Sequence, residues 1–275
     1  MTEKNKDYLI EEAKKEAGFF NKEYFDADKK QRLGNYLVPE KLIRQVTHPS
    51  SRPLNEREYA CLLLGSLEGK KLLDYGCGDG WNTICFAKAK AMVWATDISE
   101  KGVELTKKKA AANGVSEFVT AEVQNCYKTQ FPSDLFDIIY GGGILHHLDV
   151  EAAGQELSRI LHPNGVAVFY EPIRENKIMD TIKVIVLRVL RRKPSEETEN
   201  ETPMTIERIN LLKPYFKIIN YRFFNVLSSA HVLFSSESLQ SFLLWADYIL
   251  IKLVPGFLKL GRGVVIELRQ PVKHL

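Results

Sequence analysis

The chain has 275 residues, 45% hydrophobic and 27% charged, enough apolar material for one full core with appendages, which excludes the disordered class. Its 38 basic and 35 acidic residues leave a net charge of +3, too small for the global field that gathers nucleic acid, so no nucleic-acid partner is expected. Four cysteines, Cys61, Cys77, Cys85 and Cys126, form no C-x-x-C pair, which points to reduced thiols and a cytoplasmic compartment.

Met1–Glu16 is rich in charge and lacks the apolar stretch of an export signal. Tyr8, Leu9, Ala13 and Ala17 recur at helical spacing and predict a helix over Lys4–Ala17, followed by an aromatic cluster of Phe19, Phe20, Tyr24 and Phe25. Tyr24, Phe25 and Tyr36 are candidates to close over a ligand, although aromatic clusters in a leading helix more often belong to a core. Two more helices are expected between residues 39 and 66, separated by His48–Pro53, so that residues 1–66 form a helical cap.

From Lys70 the pattern is regular. It predicts strands over 70–76, 92–98, 117–123, 136–142 and 165–171, with helices over 80–90, 99–113 and about 150–161. Alternation of this kind implies a parallel sheet with helices on both faces. The first strand runs into Asp74-Tyr75-Gly76-Cys77-Gly78-Asp79-Gly80-Trp81, where Gly76, Gly78 and Gly80 allow a sharp turn and close approach of a ligand. The second strand ends in Asp97, whose acceptor-only oxygens suit the vicinal hydroxyls of a ribose. A dinucleotide fingerprint wants a small residue where Trp81 stands and helix amides free for a diphosphate. Here the spacing is G-x-G-x-G with an acid in the turn, which suits a cationic ligand.

An acid followed by x-G-x-G-x-G and an acidic second strand resembles the class I S-adenosyl-L-methionine-dependent methyltransferases, specifically their type 11/12-like domain. Val119–Val123 is similar to that family's third strand. Phe136–Tyr140 with Gly141-Gly142-Gly143-Ile144-Leu145-His146-His147-Leu148 is similar to its fourth strand and L-H-H turn. Glu156–Gly165 is similar to the helix and L-x-P-G-G turn before strand five, with Asn164 in place of the first glycine. The likeness runs from about residue 55 to 172 in family order. It implies an α/β fold with a doubly wound, mostly parallel, seven-stranded Rossmann-like sheet, and S-adenosyl-L-methionine as cofactor. Donor contacts would come from Asp74, Gly76, Cys77, Gly78, Asp97, Ile98, Glu122, Val123 and Gly141, with Glu122 reading the adenine amino group; no metal is implied.

His146 and His147 are the candidate general bases, since a neutral imidazole can take the proton of a hydroxyl acceptor. The competing reading is that they orient the loop or pack against the next helix. Glu171, ahead of Pro172, either binds an acceptor hydroxyl or caps the following turn.

Residues 67–172 form the expected core domain, and residues 173–275 carry lid helices, an insertion over 226–262 and two strands, 217–225 and 263–269, that complete the sheet as an antiparallel hairpin. The segment 177–193 is apolar and basic, 195–201 is acidic, and a helix is expected from Thr205 into Leu212. The apolar run Leu243–Val254 falls short of the roughly 20 residues a bilayer crossing needs and is interrupted by Asp247, so no transmembrane segment is expected. Segments 177–193 and 240–260 form a lid, a dimer interface or a peripheral membrane contact, and the lid is preferred over the membrane contact because the basic residues of 177–193 do not share one helical face. The resulting expectation is methyl transfer to an oxygen of a small or medium metabolite. The alternatives are a carbohydrate- or lipid-linked acceptor at a membrane face, a donor-binding scaffold without turnover, and a dehydrogenase.

Overall fold

Lys71–Tyr75 is exposed only at its first residue and buried thereafter, the pattern of a parallel strand covered on both faces. In the computed structural model, which describes residues 3–31, 36–51, 53, 55–174, 202–226, 237–253 and 261–273, this segment is β1, an interior strand of a seven-stranded sheet. The other strands are β2 (Met92–Asp97), β3 (Val119–Val123), β4 (Phe136–Gly142), β5 (Leu161–Pro172), β6 (Phe216–Phe224) and β7 (Gly263–Pro271), in the spatial order β3-β2-β1-β4-β5-β7-β6. Strands β1 to β5 run parallel, and β7 lies antiparallel between β5 and β6. The doubly wound α/β sheet and its terminal hairpin are those expected from the sequence.

The helices are α1 (Glu3–Gln31), α2 (Glu40–Thr47), α3 (Glu56–Leu64), α4 (Trp81–Lys88), α5 (Glu100–Ala112), α6 (Val150–Ile160), α7 (Ile206–Asn210) and α8 (Glu237–Leu253). Their starts are set by local chemistry. Asn55, Ser99, Asp149 and Thr205 each accept a backbone N–H three residues on, satisfying donors the first turn leaves open. Alternate residues of the central strands feed two cores. Leu73, Tyr75, Ile139, Ala167 and Phe169 join Leu157, Ile160 and Leu212 on one face; Leu72, Ile138, Tyr140, Val166 and Val168 join Ala60, Leu64 and Phe86 on the other.

Strand order reverses between β1 and β4, because the chain steps outward from β1 through β2 to β3 and then returns to the other side of β1. The connections leaving β1 and β4 therefore diverge at the carboxyl end of the sheet and open a crevice there, where ligands of open α/β sheets bind.

Three elements differ from expectation. The helix foreseen over Lys4–Ala17 and the aromatic cluster after it are one continuous helix, α1. It is fastened to the start of α5, where Asn21 Oδ1 accepts from Ser99 Oγ at 2.7 Å and from the Lys101 backbone N–H at 3.0 Å, and where Asp28 pairs with Lys101 at 2.9 Å. Strand β5 begins at Leu161, not at residue 165, because Leu161 pairs with Phe136 across an irregularity that absorbs His162-Pro163-Asn164. The helix expected from Thr205 into Leu212 closes after Asn210.

Segments 177–193 and 195–201, and residues 227–236 and 254–260 of the insertion, lie outside the described residues. Among the described residues no helix is long and apolar enough to cross a membrane, and the four cysteines are buried and free.

Candidate active site

The crevice holds a cavity of about 770 Å³, in the upper part of the range for small-molecule sites. Its floor is the turn after β1 and the ends of β2 and β4. Part of its wall is a single stripe of α1, with Leu9, Glu12, Ala13, Glu16, Phe20 and Tyr24 recurring every three or four residues.

The glycine turn is fully tied to its neighbours. The N–H groups of Gly76 and Cys77 both donate to the Thr96 carbonyl at 2.9 Å, Gly78 donates to Asp97 Oδ2 at 2.8 Å, and Gly80 donates to the Cys77 carbonyl at 3.0 Å. Gly78 and Gly80 have φ of 56° and 86°, which glycine adopts without penalty. A side chain at Gly78 would begin 2.8 Å from the Tyr24 hydroxyl, so α1 sits directly against the turn. From the other side Lys109, whose side chain is fully buried, donates to the Asp79 carbonyl at 2.8 Å and its carboxylate at 2.6 Å, and lies 4.1 Å from the Trp81 ring centroid.

Two carboxylates serve the turn differently. Asp97 lines the cavity and accepts Gly78 N–H on Oδ2 and Ser99 N–H on Oδ1, both at 2.8 Å. Those bonds use two of its roughly four acceptor positions. Burial raises its pKa while the backbone donors oppose that rise. Asp74 does not reach the cavity surface. It is 1% exposed beneath the turn, accepts Thr83 Oγ1 at 2.6 Å, and burial pushes its carboxyl up to about 7.

The two histidines also part company. His146 is buried with Nδ1 2.7 Å from Glu171 Oε2 and is not among the residues lining the cavity. Glu171 Oε1 in addition accepts the N–H groups of Ile144 and Leu145 at 3.0 and 2.9 Å, so it caps the turn after β4 rather than the turn that follows it, a role the sequence did not suggest. His147 does line the cavity. Its side chain is 12% exposed, and burial, reinforced by the neighbouring His146, pushes its pKa down to about 3, leaving the imidazole neutral.

Gly76, Cys77, Gly78, Asp97, Ile98 and His147 of the residues singled out in sequence thus converge on the cavity. Gly141 lies just behind the lining residues Gly142 and Gly143, and a side chain there would begin 2.5 Å from the Phe169 ring. Glu122 and Val123 lie at the exposed end of β3 outside the cavity lining, with Glu122 accepting from Gln124 Nε2 at 2.8 Å. Of the aromatic candidates only Tyr24 meets the cavity; Phe25 is exposed and Tyr36 donates to Asp28 at 2.8 Å. Sequence reasoning missed Glu16, Arg57, Asn125, Tyr127 and Arg208, which stand on elements with no motif of their own.

The arrangement fits a cationic nucleoside. Four turn amides are bonded within the protein, leaving them no part in cradling a diphosphate, and the cavity is lined by the acidic residues Glu12, Glu16, Asp97 and Asp149, beside the Lys109-paired Asp79, against two arginines, Arg57 and Arg208.

Comparison with known proteins agrees with this. A family model described as a methyltransferase domain matches residues 73–169. The chain is 34% identical over 99 residues to 27-O-demethylrifamycin SV methyltransferase of Amycolatopsis mediterranei, covering 35% of this chain and 36% of that protein. It is 33% identical over 130 residues to ubiquinone biosynthesis O-methyltransferase of Actinobacillus pleuropneumoniae, covering 45% of this chain and 52% of that protein. The chain thus spans between a third and about half of the length of these curated relatives. Among solved structures, geranyl diphosphate C-methyltransferase from Streptomyces coelicolor, complexed with Mg2+, geranyl diphosphate and S-adenosyl-L-homocysteine, superposes with a TM-score of 0.55 at 15% identity, covering 78% of each chain. The chain carries a methyltransferase domain of the class I, S-adenosylmethionine-dependent kind.

Proposed function

We propose that this methyltransferase domain transfers a methyl group from S-adenosyl-L-methionine to an oxygen of a small or medium-sized metabolite. The observation that carries the reading is the glycine turn, four of whose amides are bonded within the protein, with Asp97 beside it lining the cavity. The O-methyltransferases among the curated relatives support oxygen as acceptor atom.

The donor, when bound, supplies an electrophilic methyl on a positively charged sulfur. In this reading Gly76, Cys77, Gly78 and Ile98 hold it by close backbone approach, Asp97 binds the ribose hydroxyls, and Asp74 balances the positive charge from beneath the turn. Gly141 gives the room needed behind the lining glycines, and Glu122 with Val123, which pairs with Asp97, meets the adenine where it extends past the cavity lining. Tyr24 and the stripe of α1 keep water out. His147 accepts the proton released by the acceptor, and His146 with Glu171 holds the turn that presents it. The four buried thiols fit a cytoplasmic setting.

A second reading, with a lipid- or carbohydrate-linked acceptor at a membrane face, is favoured by α8, where Phe242 and Trp245 are more than half exposed with ring centroids 5.9 Å apart. Incubation with tritium-labelled donor and a panel of phenols, alcohols, amines and lipid-linked sugars tests both. The first reading requires label on water-soluble hydroxyl acceptors. Label confined to amines would overturn it, and label that needs a lipid-linked acceptor would favour the second.

A further inference from the structure

Glu16 and His147 meet at the cavity from distant parts of the chain. Glu16 belongs to the lining stripe of α1, and its Oε2 lies 3.6 Å from His147 Nδ1, with side-chain exposures of 11% and 12%. Phe20, one turn further along α1, stands edge-on to the imidazole with ring centroids 5.3 Å apart and limits how that ring can tilt. The other titratable and charged groups around the pair are His146, its ring centroid 4.0 Å from that of His147, Glu171 behind His146, Tyr127 and Asp149 from the loops, and Arg208 of α7, which binds the Leu145 and Leu148 carbonyls.

On the methyl-transfer reading above, we propose that Glu16 is the positioning residue for the reaction's base: at 3.6 Å, an ion-pair rather than a hydrogen-bond distance, its carboxylate favours by charge the His147 tautomer whose Nδ1–H faces α1. Nε2 then carries the lone pair offered to the acceptor hydroxyl. As the acceptor oxygen bonds to the methyl carbon, the carbon–sulfur bonding pair stays on sulfur. The hydroxyl proton passes to Nε2 and leaves its bonding pair on oxygen. Positive charge thus moves from sulfonium to imidazolium within one cavity, and the Glu16 carboxylate faces the charge that forms. Because the carboxylate comes from the cap helix, the base is complete only when α1 is docked, which ties proton transfer to exclusion of water.

Nitrogen-15 and proton NMR of the histidine rings tests this without a known acceptor. The probes are S-adenosylmethionine and S-adenosylhomocysteine, and the His147 signals are assigned with His147→Asn. In the wild-type homocysteine complex the neutral ring should carry its proton on Nδ1, and its titration midpoint should lie above that in the methionine complex. Glu16→Gln should lower the midpoint in the homocysteine complex by about one unit or more, and Glu16→Asp should restore part of it. A wild-type ring protonated on Nε2, or a midpoint that Glu16→Gln leaves in place, would overturn the proposal. The wild-type tautomer decides the matter alone where a variant does not fold. Failure of the wild type to bind S-adenosylhomocysteine at all would overturn the underlying methyl-transfer reading, a result distinct from a failed Glu16 effect.

Discussion

Gly78 donates its backbone N–H to the Asp97 carboxylate at 2.8 Å, so the glycine turn after β1 and the acid ending β2 form one hydrogen-bonded unit.

Replacing Asp97 with Ala removes that acceptor together with the ribose contact proposed for it. Hydrogen bonds to charged groups contribute about 1.5–3 kcal/mol. Affinity for S-adenosylhomocysteine should therefore fall roughly 10- to 100-fold in titration calorimetry.

Gly80→Ala should destabilise the fold. Its φ of 86° is left-handed and a side chain there would begin 2.8 Å from the Thr106 Cα, whereas Gly69, at φ 71°, faces open space. The backbone penalty of about 1–2 kcal/mol applies to both, and the clash adds to it only at Gly80. Chemical denaturation should show Gly80→Ala losing at least about 1 kcal/mol more than Gly69→Ala.

Lys109→Met should loosen the turn from its other side. The substitution deletes both bonds to Asp79 and the contact with Trp81 while keeping the side-chain volume, so a loss of about 2–3 kcal/mol is expected, with weaker donor binding in the same preparation.

Asp74 gives a pH signature. Its pKa is about 7 in the folded chain against 3.8 ordinarily. Between those values the folded state holds a proton that the unfolded state has lost, so stability falls as pH rises through that window and the full penalty applies above it. Asp74→Asn keeps an acceptor for Thr83 and removes the penalty. Thermal melts should show the variant more stable than wild type at pH 8, by an amount on the order of a few kcal/mol at most, and indistinguishable near pH 4. Its affinity for the cationic S-adenosylmethionine should fall more than its affinity for neutral S-adenosylhomocysteine.

The strand–helix alternation and the glycine turn were legible because their signals are local: buried runs, turn residues and caps each act within a few positions. The stripe on α1 was not, since Glu12 and Glu16 interleaved with Leu9, Phe20 and Tyr24 read as a weakly amphipathic helix until a cavity requires both polar and aromatic walls. Lys107, Lys108 and Lys109 look alike in sequence. Only the register of α5 against the turn selects Lys109 for full burial. The start of β5 was missed because His162-Pro163-Asn164 carries turn chemistry, and the pairing of Leu161 with Phe136 is a long-range fact. The division of labour between His146 and His147 likewise depends on Glu171, which reaches back from the next strand to one ring and not the other.

Titration calorimetry of the full chain with S-adenosylhomocysteine, S-adenosylmethionine and NAD compares the rival ligand classes in one site. Both sulfur nucleosides should bind and weaken together in Asp97→Ala, while NAD should give no heat. Saturable binding of NAD with no response to either sulfur nucleoside would contradict the account at its base.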